Sequence, residues 1–161
     1  KDQVVRTVSL PNGKTREEII LEPVVRAARE YYCCDTLAGM PLEDEGGSAS
    51  EDTHWEGAFV YNEWMGASYY RDTVFSPLTW SLFEASGWYQ VDYSSKYVET
   101  GSWGHCAGCK FFDLNCNPSS TSFPRYWCQA PPADSSEPNK GCSEDRLYYG
   151  YCAESIYSNE C

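Results

Sequence analysis

The sequence predicts an α+β fold continued by a loop-rich region stapled by disulfides. Three observations lead there. The chain opens on an alternating, β-branched stretch that ends in a turn signal. It then changes to two helical patterns with capping residues. Seven of its nine cysteines fall between 106 and 161, where helical periodicity has faded. At 161 residues these make one ordinary domain or two small ones, with residues 1–100 expected as the α+β part and 101–161 as the cysteine-rich region.

The elements follow in order. Val4-Val5-Arg6-Thr7-Val8-Ser9-Leu10 reads as a strand, and Pro11-Asn12-Gly13-Lys14 as a turn that uses the left-handed tolerance of Asn and Gly. Glu18-Ile19-Ile20-Leu21 is expected to return as the second strand of a hairpin. From Glu22 the period becomes helical: Pro23 suits a first turn, and Val24, Ala27, Ala28, Tyr31 and Tyr32 share one face, with Cys33 and Cys34 at or just past the end. Residues 41–53 are acidic and small, and read as a loop. A second helix is expected over Pro77–Ser86, with Ser76 as N-cap, Pro77 at the first position and Gly87 as the stop. Its core face is Leu78, Leu82 and Phe83, with Thr79 and Ala85 nearby. Glu84 lies late in that helix, where the dipole disfavours a negative charge. Beyond Trp88, glycines and prolines punctuate short polar and aromatic stretches.

Composition excludes several classes. With 12 Lys+Arg against 24 Asp+Glu the net charge is −12, and no basic stripe occurs, so the chain is unsuited to a phosphate backbone and no nucleic-acid partner is expected. Disorder is disfavoured by 42% apolar and 16% aromatic residues. No apolar run approaches the length of a membrane span. Cysteine density points to an oxidising compartment, hence an extracellular or cell-surface location after export. An odd count leaves one cysteine either free or paired with something outside these residues, and Cys161 is a candidate for the unpaired member. The chain opens at Lys1 without an initiator Met or a signal segment, which leads to the expectation of a processed or partial chain.

Few residues can carry chemistry. His54 and His105 are the only histidines. A single histidine is more often a hydrogen-bonded or surface residue than a ligand, and Met65 beside Trp64 would ordinarily be core filler. Cys106 and Cys109 form a C-x-x-C, for which structural disulfides are favoured over a redox site because no second pair and no β-α-β context accompany it. Glu43-Asp44-Glu45 lacks EF-hand spacing and reads as solvated loop charge rather than a calcium site. His105 is expected to face solvent or cap a turn. No N-glycosylation sequon exists, since Pro118 interrupts Asn117-Pro118-Ser119.

Longer blocks read differently. They are Ala28-Arg29-Glu30-Tyr31-Tyr32-Cys33-Cys34-Asp35-Thr36-Leu37, Leu42-Glu43-Asp44-Glu45-Gly46-Gly47, His54-Trp55-Glu56 and Asn62-Glu63-Trp64-Met65. Leu78-Thr79, Phe83-Glu84, Gly87-Trp88-Tyr89, Trp103-Gly104 and Gly108-Cys109-Lys110-Phe111 follow. In this order and spacing the sequence resembles the leishmanolysin family of zinc metallopeptidases, in the metzincin group. The resemblance is closest from about 24 to 116 and extends to 152.

That resemblance implies a C-terminal part of a metzincin-type catalytic domain. In the family a helix bearing His-Glu-x-x-His supplies two zinc ligands and the general base, and the third histidine comes later, in the position of His54. A Met-turn follows beneath the metal, matched by Met65, which would not ligate. Three neutral imidazoles leave a fourth position for water, whose pKa zinc lowers toward about 7. This sequence holds no His-Glu-x-x-His, and His105 cannot replace it. Zinc is therefore expected only with ligands from an upstream segment or companion chain, and no catalytic residue is expected within these residues. The resemblance also implies a Cys34–Cys109 disulfide. Cys33 and Cys106, additional to the family pattern, are expected to form a neighbouring bridge. The function so implied is zinc endopeptidase hydrolysis of a protein or peptide substrate. The alternative is a non-catalytic extracellular protein retaining the fold for adhesion or assembly.

Overall fold

The computed structural model describes residues 3–10, 13–44, 47–113, 140–142 and 149–151. They divide into two compact units, Lys1–Cys109 and Lys110–Cys161. Helix and sheet are mixed, as the α+β expectation requires. In the first unit β1 (Val5–Ser9) pairs antiparallel with β2 (Thr15–Ile19), Val5 opposite Ile19 and Ser9 opposite Thr15. The turn is closed by Leu10 N–H donating to the Lys14 carbonyl at 2.8 Å, with Gly13 at φ +83°. The second strand starts three residues before the expected Glu18. Its early part is Thr15-Arg16-Glu17, and charged residues carry no apolar alternation to mark a strand. An ion network holds them instead: buried Glu18 accepts from Arg6 at 2.6 Å and from Arg16 at 2.9 Å.

A short third strand, β3 (Met40–Pro41), pairs with β2 antiparallel, Met40 facing Ile19. Gly39 permits that approach, because a Cβ there would lie 2.7 Å from Glu18 Oε2 and 2.9 Å from its Cβ. Between β2 and β3, helix α1 (Glu22–Tyr32) buries Val24, Val25, Ala27, Ala28, Tyr31 and Tyr32, which includes the whole expected face. Pro23 lies in its first turn. Cys33 ends it in a left-handed conformation, φ 53°, and the Cys34 N–H returns to the Arg29 carbonyl at 3.0 Å.

The end of α1 anchors a later segment. Its Tyr31 and Tyr32 carbonyls, left over by the helix, accept from the Cys106 N–H at 3.0 Å and the Gly108 N–H at 2.8 Å. Two disulfides join the same stretches, Cys33–Cys106 with Cα atoms 4.6 Å apart and Cys34–Cys109 with Cα atoms 4.9 Å apart. Both expected pairings are thus present. Tyr31 donates its hydroxyl proton to the Trp103 carbonyl at 2.9 Å, and Tyr32 to that of Phe59 at 3.0 Å.

Helix α3 (Pro77–Ala85) packs against α1, and its signals hold: Ser76 Oγ accepts from the Leu78 N–H at 3.2 Å, and Gly87 has φ +72°. Its buried face is Leu78, Thr79 and Ser81, a correction to the expected Leu82 and Phe83, which are half-buried. The hydroxyls can be buried because each finds a partner, Ser81 donating to the Leu78 carbonyl at 2.7 Å. Phe83 instead joins a ring series with Trp80 and Tyr89, centroids 5.8 and 5.4 Å away. Glu84, ill placed for the dipole, accepts from Arg26 at 2.9 Å and from the Tyr93 hydroxyl at 2.7 Å, which ties α3 to α1. Among the described residues no helix is long and apolar enough to cross a membrane.

In the second unit β4 (Lys140–Cys142) pairs antiparallel with β5 (Tyr149–Tyr151), Lys140 opposite Tyr151. Cys116, Cys128, Cys152 and Cys161, including the candidate unpaired thiol, lie outside the described residues.

The bridges close nearly the same loop, with sequence separations of 73 and 75. Once one is formed, the other closes only a few residues, so their contributions are unequal. In denaturant unfolding, replacing Cys33 and Cys106 by Ala should cost about 2 kcal/mol. Replacing Cys34 and Cys109 as well should cost about 4 kcal/mol more, because the large loop is then released in the unfolded chain. Equal costs for the two steps would contradict this account.

Candidate metal centre

The His54 segment extends the sheet. Leu42, just past β3, donates its N–H to the Glu17 carbonyl at 2.9 Å and forms an antiparallel bridge with Trp55. Glu43 N–H donates to the His54 carbonyl at 2.9 Å, Asp52 N–H to the Glu43 carbonyl at 2.9 Å, and Glu56 N–H to the Pro41 carbonyl at 3.2 Å. On its other side the segment meets the Met65 turn: Trp55 N–H donates to the Met65 carbonyl at 2.9 Å, and Trp55 bridges Gly66 in parallel. His54 and Met65, distant in sequence, therefore flank one backbone hydrogen bond. Both are half-buried.

The His54 ring is oriented by its own loop. Nδ1 lies 2.9 Å from Thr53 Oγ1 and 3.3 Å from the Ser50 carbonyl, while Thr53 Oγ1 donates to that same carbonyl at 3.1 Å. A carbonyl only accepts, and the Thr53 proton is already committed to it. Nδ1 meets both partners when it carries the proton, and that tautomer leaves the lone pair on Nε2. That is the donor state a metal-binding histidine needs.

A buried polar network stands behind this segment. The Trp55 indole, wholly buried, donates from Nε1 to Thr79 Oγ1 at 3.1 Å. Thr79 in turn donates to Glu63 Oε1 in a short hydrogen bond. Glu63, 4% exposed, also accepts the Ser76 N–H at 3.2 Å, at the start of α3. Burial pushes the Glu63 carboxyl above its ordinary value, against the opposing pull of the Thr79 and Ser76 donors. The Met65 turn is closed beyond Glu63 by Trp64 N–H to the Val74 carbonyl at 2.8 Å and Val74 N–H to that of Asn62 at 2.9 Å.

The acidic run is not plain solvated charge, as the sequence had suggested for Glu43 and Asp44. Both are half-buried, and one oxygen from each of Glu43, Asp44 and Glu56 lies within 4.8 Å of the others. They surround the start of a one-turn helix, α2 (Gly57–Val60), where Glu43 accepts the Gly57 N–H at 3.2 Å and Glu56 the Ala58 N–H at 3.1 Å. Sequence reasoning missed this helix, whose four residues are too few for a periodic signal. It also missed Glu63 and Thr79. A carboxylate followed directly by Trp64-Met65 was the one available hint. His105 is exposed, its ring centroid 5.4 Å from that of Tyr31 in an edge-on arrangement.

Partial burial, and then the neighbouring Glu43 charge, raise the Glu56 carboxyl to about 7. A raised carboxyl favours the protonated folded state. Its contribution is complete below the ordinary value of about 4.5 and lost as pH rises through about 7. Unfolding free energy of the metal-free protein should therefore fall between pH 5 and 7.5, by up to about 3 kcal/mol. Glu56→Gln should flatten that slope in urea titrations; an unchanged slope would refute the assignment.

Comparison with known proteins places this geometry in context. The leishmanolysin family model matches residues 3–160. A leishmanolysin-like peptidase of Drosophila pseudoobscura pseudoobscura is 38% identical over 111 residues, covering 67% of this chain and 16% of that protein. The leishmanolysin homolog of Crithidia fasciculata is 36% identical over 140 residues, covering 84% and 20%. Leishmanolysin of Leishmania major is 32% identical over 157 residues, covering 93% and 24%. The chain thus spans between a sixth and a quarter of the length of these relatives. A match over nearly every residue, joined to the ordered blocks around His54, Met65 and the paired cysteines, makes this chain a member of the leishmanolysin family.

Proposed function

We propose that this chain supplies the third metal ligand and supporting scaffold of a zinc-dependent endopeptidase centre, as the C-terminal part of a metzincin-type catalytic domain. The observation that carries the reading is the hydrogen bond from Trp55 to Met65, which sets His54 beside the Met65 turn. The donor set suits zinc, since the bonding of His54 Nδ1 leaves Nε2 free to coordinate. When bound, zinc supplies a Lewis acid for a peptide carbonyl and for water.

The work of these residues is to orient. Thr53 and Ser50 hold the proton on Nδ1, the Trp55 main chain holds the segment, and Met65 offers an apolar, polarisable floor. With only two histidines in the sequence, the remaining ligands and the general base belong to an upstream segment or companion chain. The bridges from Cys106 and Cys109 staple their stretch of the chain to the end of α1. The two disulfides support an extracellular or cell-surface setting, and the substrate in this reading is a protein or peptide.

In the full-length protein carrying these residues, zinc content and peptide hydrolysis are measured together. His54→Ala should remove stoichiometric zinc and lower kcat/KM by more than about 100-fold, beyond the loss typical of outer-shell changes. Met65→Leu, similar in volume, should retain zinc. A His54→Ala protein that keeps full zinc and activity would defeat the reading. A stable, metal-free and inert wild-type protein would favour a fold kept for adhesion or assembly.

A further inference from the structure

We propose that Glu63 and Thr79 are positioning residues for His54, acting through the Trp55 indole. With Glu63 ionised, the direction of each hydrogen bond in this chain of contacts follows from its donors. An indole N–H only donates, so Thr79 Oγ1 receives from Trp55 and its own proton goes to Glu63. A backbone N–H only donates, so Ser76 too can only give to Glu63. Glu63 is met by donors alone, and Thr79, sitting between Trp55 and Glu63, has no freedom to reverse.

The consequence falls on His54. Trp55 is held at two points, its main-chain N–H on Met65 and its indole on Thr79. Because Trp55, Thr79 and Glu63 are each at least 96% buried, water cannot replace a lost partner at low cost. Without the indole anchor, the peptide that follows His54 keeps its sheet bonds but loses the side-chain fix on its rotation. The ring then depends on Thr53 and Ser50 alone, and these belong to the preceding loop. The same carboxylate receives Ser76 at the start of α3, so the helix, the Met65 turn and the His54 segment share one reference point. The inference rests on the reading of His54 as a ligand, yet its consequence for the ring is measurable without metal.

The test uses the full-length protein carrying this chain, stripped of metal and labelled with 15N-histidine. His54 resonances are assigned by their loss in His54→Ala. In the wild type they should show the Nδ1–H tautomer. Thr79→Val, Glu63→Gln and Trp55→Phe should each shift or broaden them toward the average of the two tautomers, and Thr79→Ser should restore the wild-type pattern. Arg26→Ala, which breaks the surface ion pair to Glu84, serves as the stability control: it should lower the Tm and leave the ring signals in place. Whichever of the three network variants folds is read against Thr79→Ser and Arg26→Ala. Ring signals unmoved in that variant, or moved equally by Arg26→Ala, would overturn the positioning role. The zinc content of His54→Ala decides the ligand reading separately.

Discussion

The buried carboxylate of Glu63 is the constraint on which the arrangement around His54 depends. Taking an ionisable carboxyl out of water is unfavourable unless donors replace the lost hydration. Here the replacements come from two places, the Thr79 hydroxyl and the Ser76 N–H, and the first is itself bonded by the Trp55 indole. None of these donors can move without leaving a buried carboxyl short of hydrogen-bond partners. The start of α3, the Met65 turn and the strand-like segment through Trp55 are therefore placed together. The same logic explains why the buried face of α3 includes Thr79 and Ser81 where an all-apolar stripe would be expected. A helix that must serve a carboxylate gives up hydrophobic area for a hydroxyl in the right place.

A second constraint sits at the far end of α1. The helix ends in a left-handed cysteine, its last carbonyls are taken by a segment more than seventy residues away, and two disulfides repeat the connection. Tyr31 uses both its carbonyl and its hydroxyl on that segment. Gly101 lies so close that a Cβ would stand 2.8 Å from the Tyr31 hydroxyl oxygen. Tyr32 meanwhile reaches the Phe59 carbonyl at 3.0 Å, in the short helix that follows Glu56. Through these two tyrosines α1 touches both the disulfide-linked segment and the chain just beyond His54. Helix and staples thus form one frame around the sheet extension that carries the histidine.

Much of this was legible in the sequence where a local rule applies. Pro23 and Pro77 at first turns, Ser76 as a cap and Gly87 as a stop are each settled by neighbouring backbone, and the structure agrees at all four. The hairpin turn was legible for the same reason. The early half of β2 was not, because Arg16 and Glu17 belong to a strand held by ion pairs and sheet bonds rather than by apolar alternation. Paired cysteines were legible only through family resemblance, since spacing alone leaves the partners open. The Glu63 network was hidden for a deeper reason. Its members stand 24 and 16 residues apart, and no periodicity records which distant hydroxyl a carboxylate will meet.

This division between local and distant restraint bears on how a ligand is made ready. The tautomer of His54 is set within four residues, by Thr53 and Ser50, so it follows from the loop itself. Its place is set from afar, by Met65 and Thr79 acting on Trp55. Chemical state and position are thus governed from different parts of the chain, and the positional restraint keeps the ring within reach of the loop that sets its state. A centre assembled from separate segments requires both restraints. Each contributing segment has to present its donor in the right state before the others arrive, because ordering it afterwards would be subtracted from the affinity for the metal. A histidine whose lone pair is already free, on a segment already clamped between two neighbours, meets that requirement from within its own part of the chain.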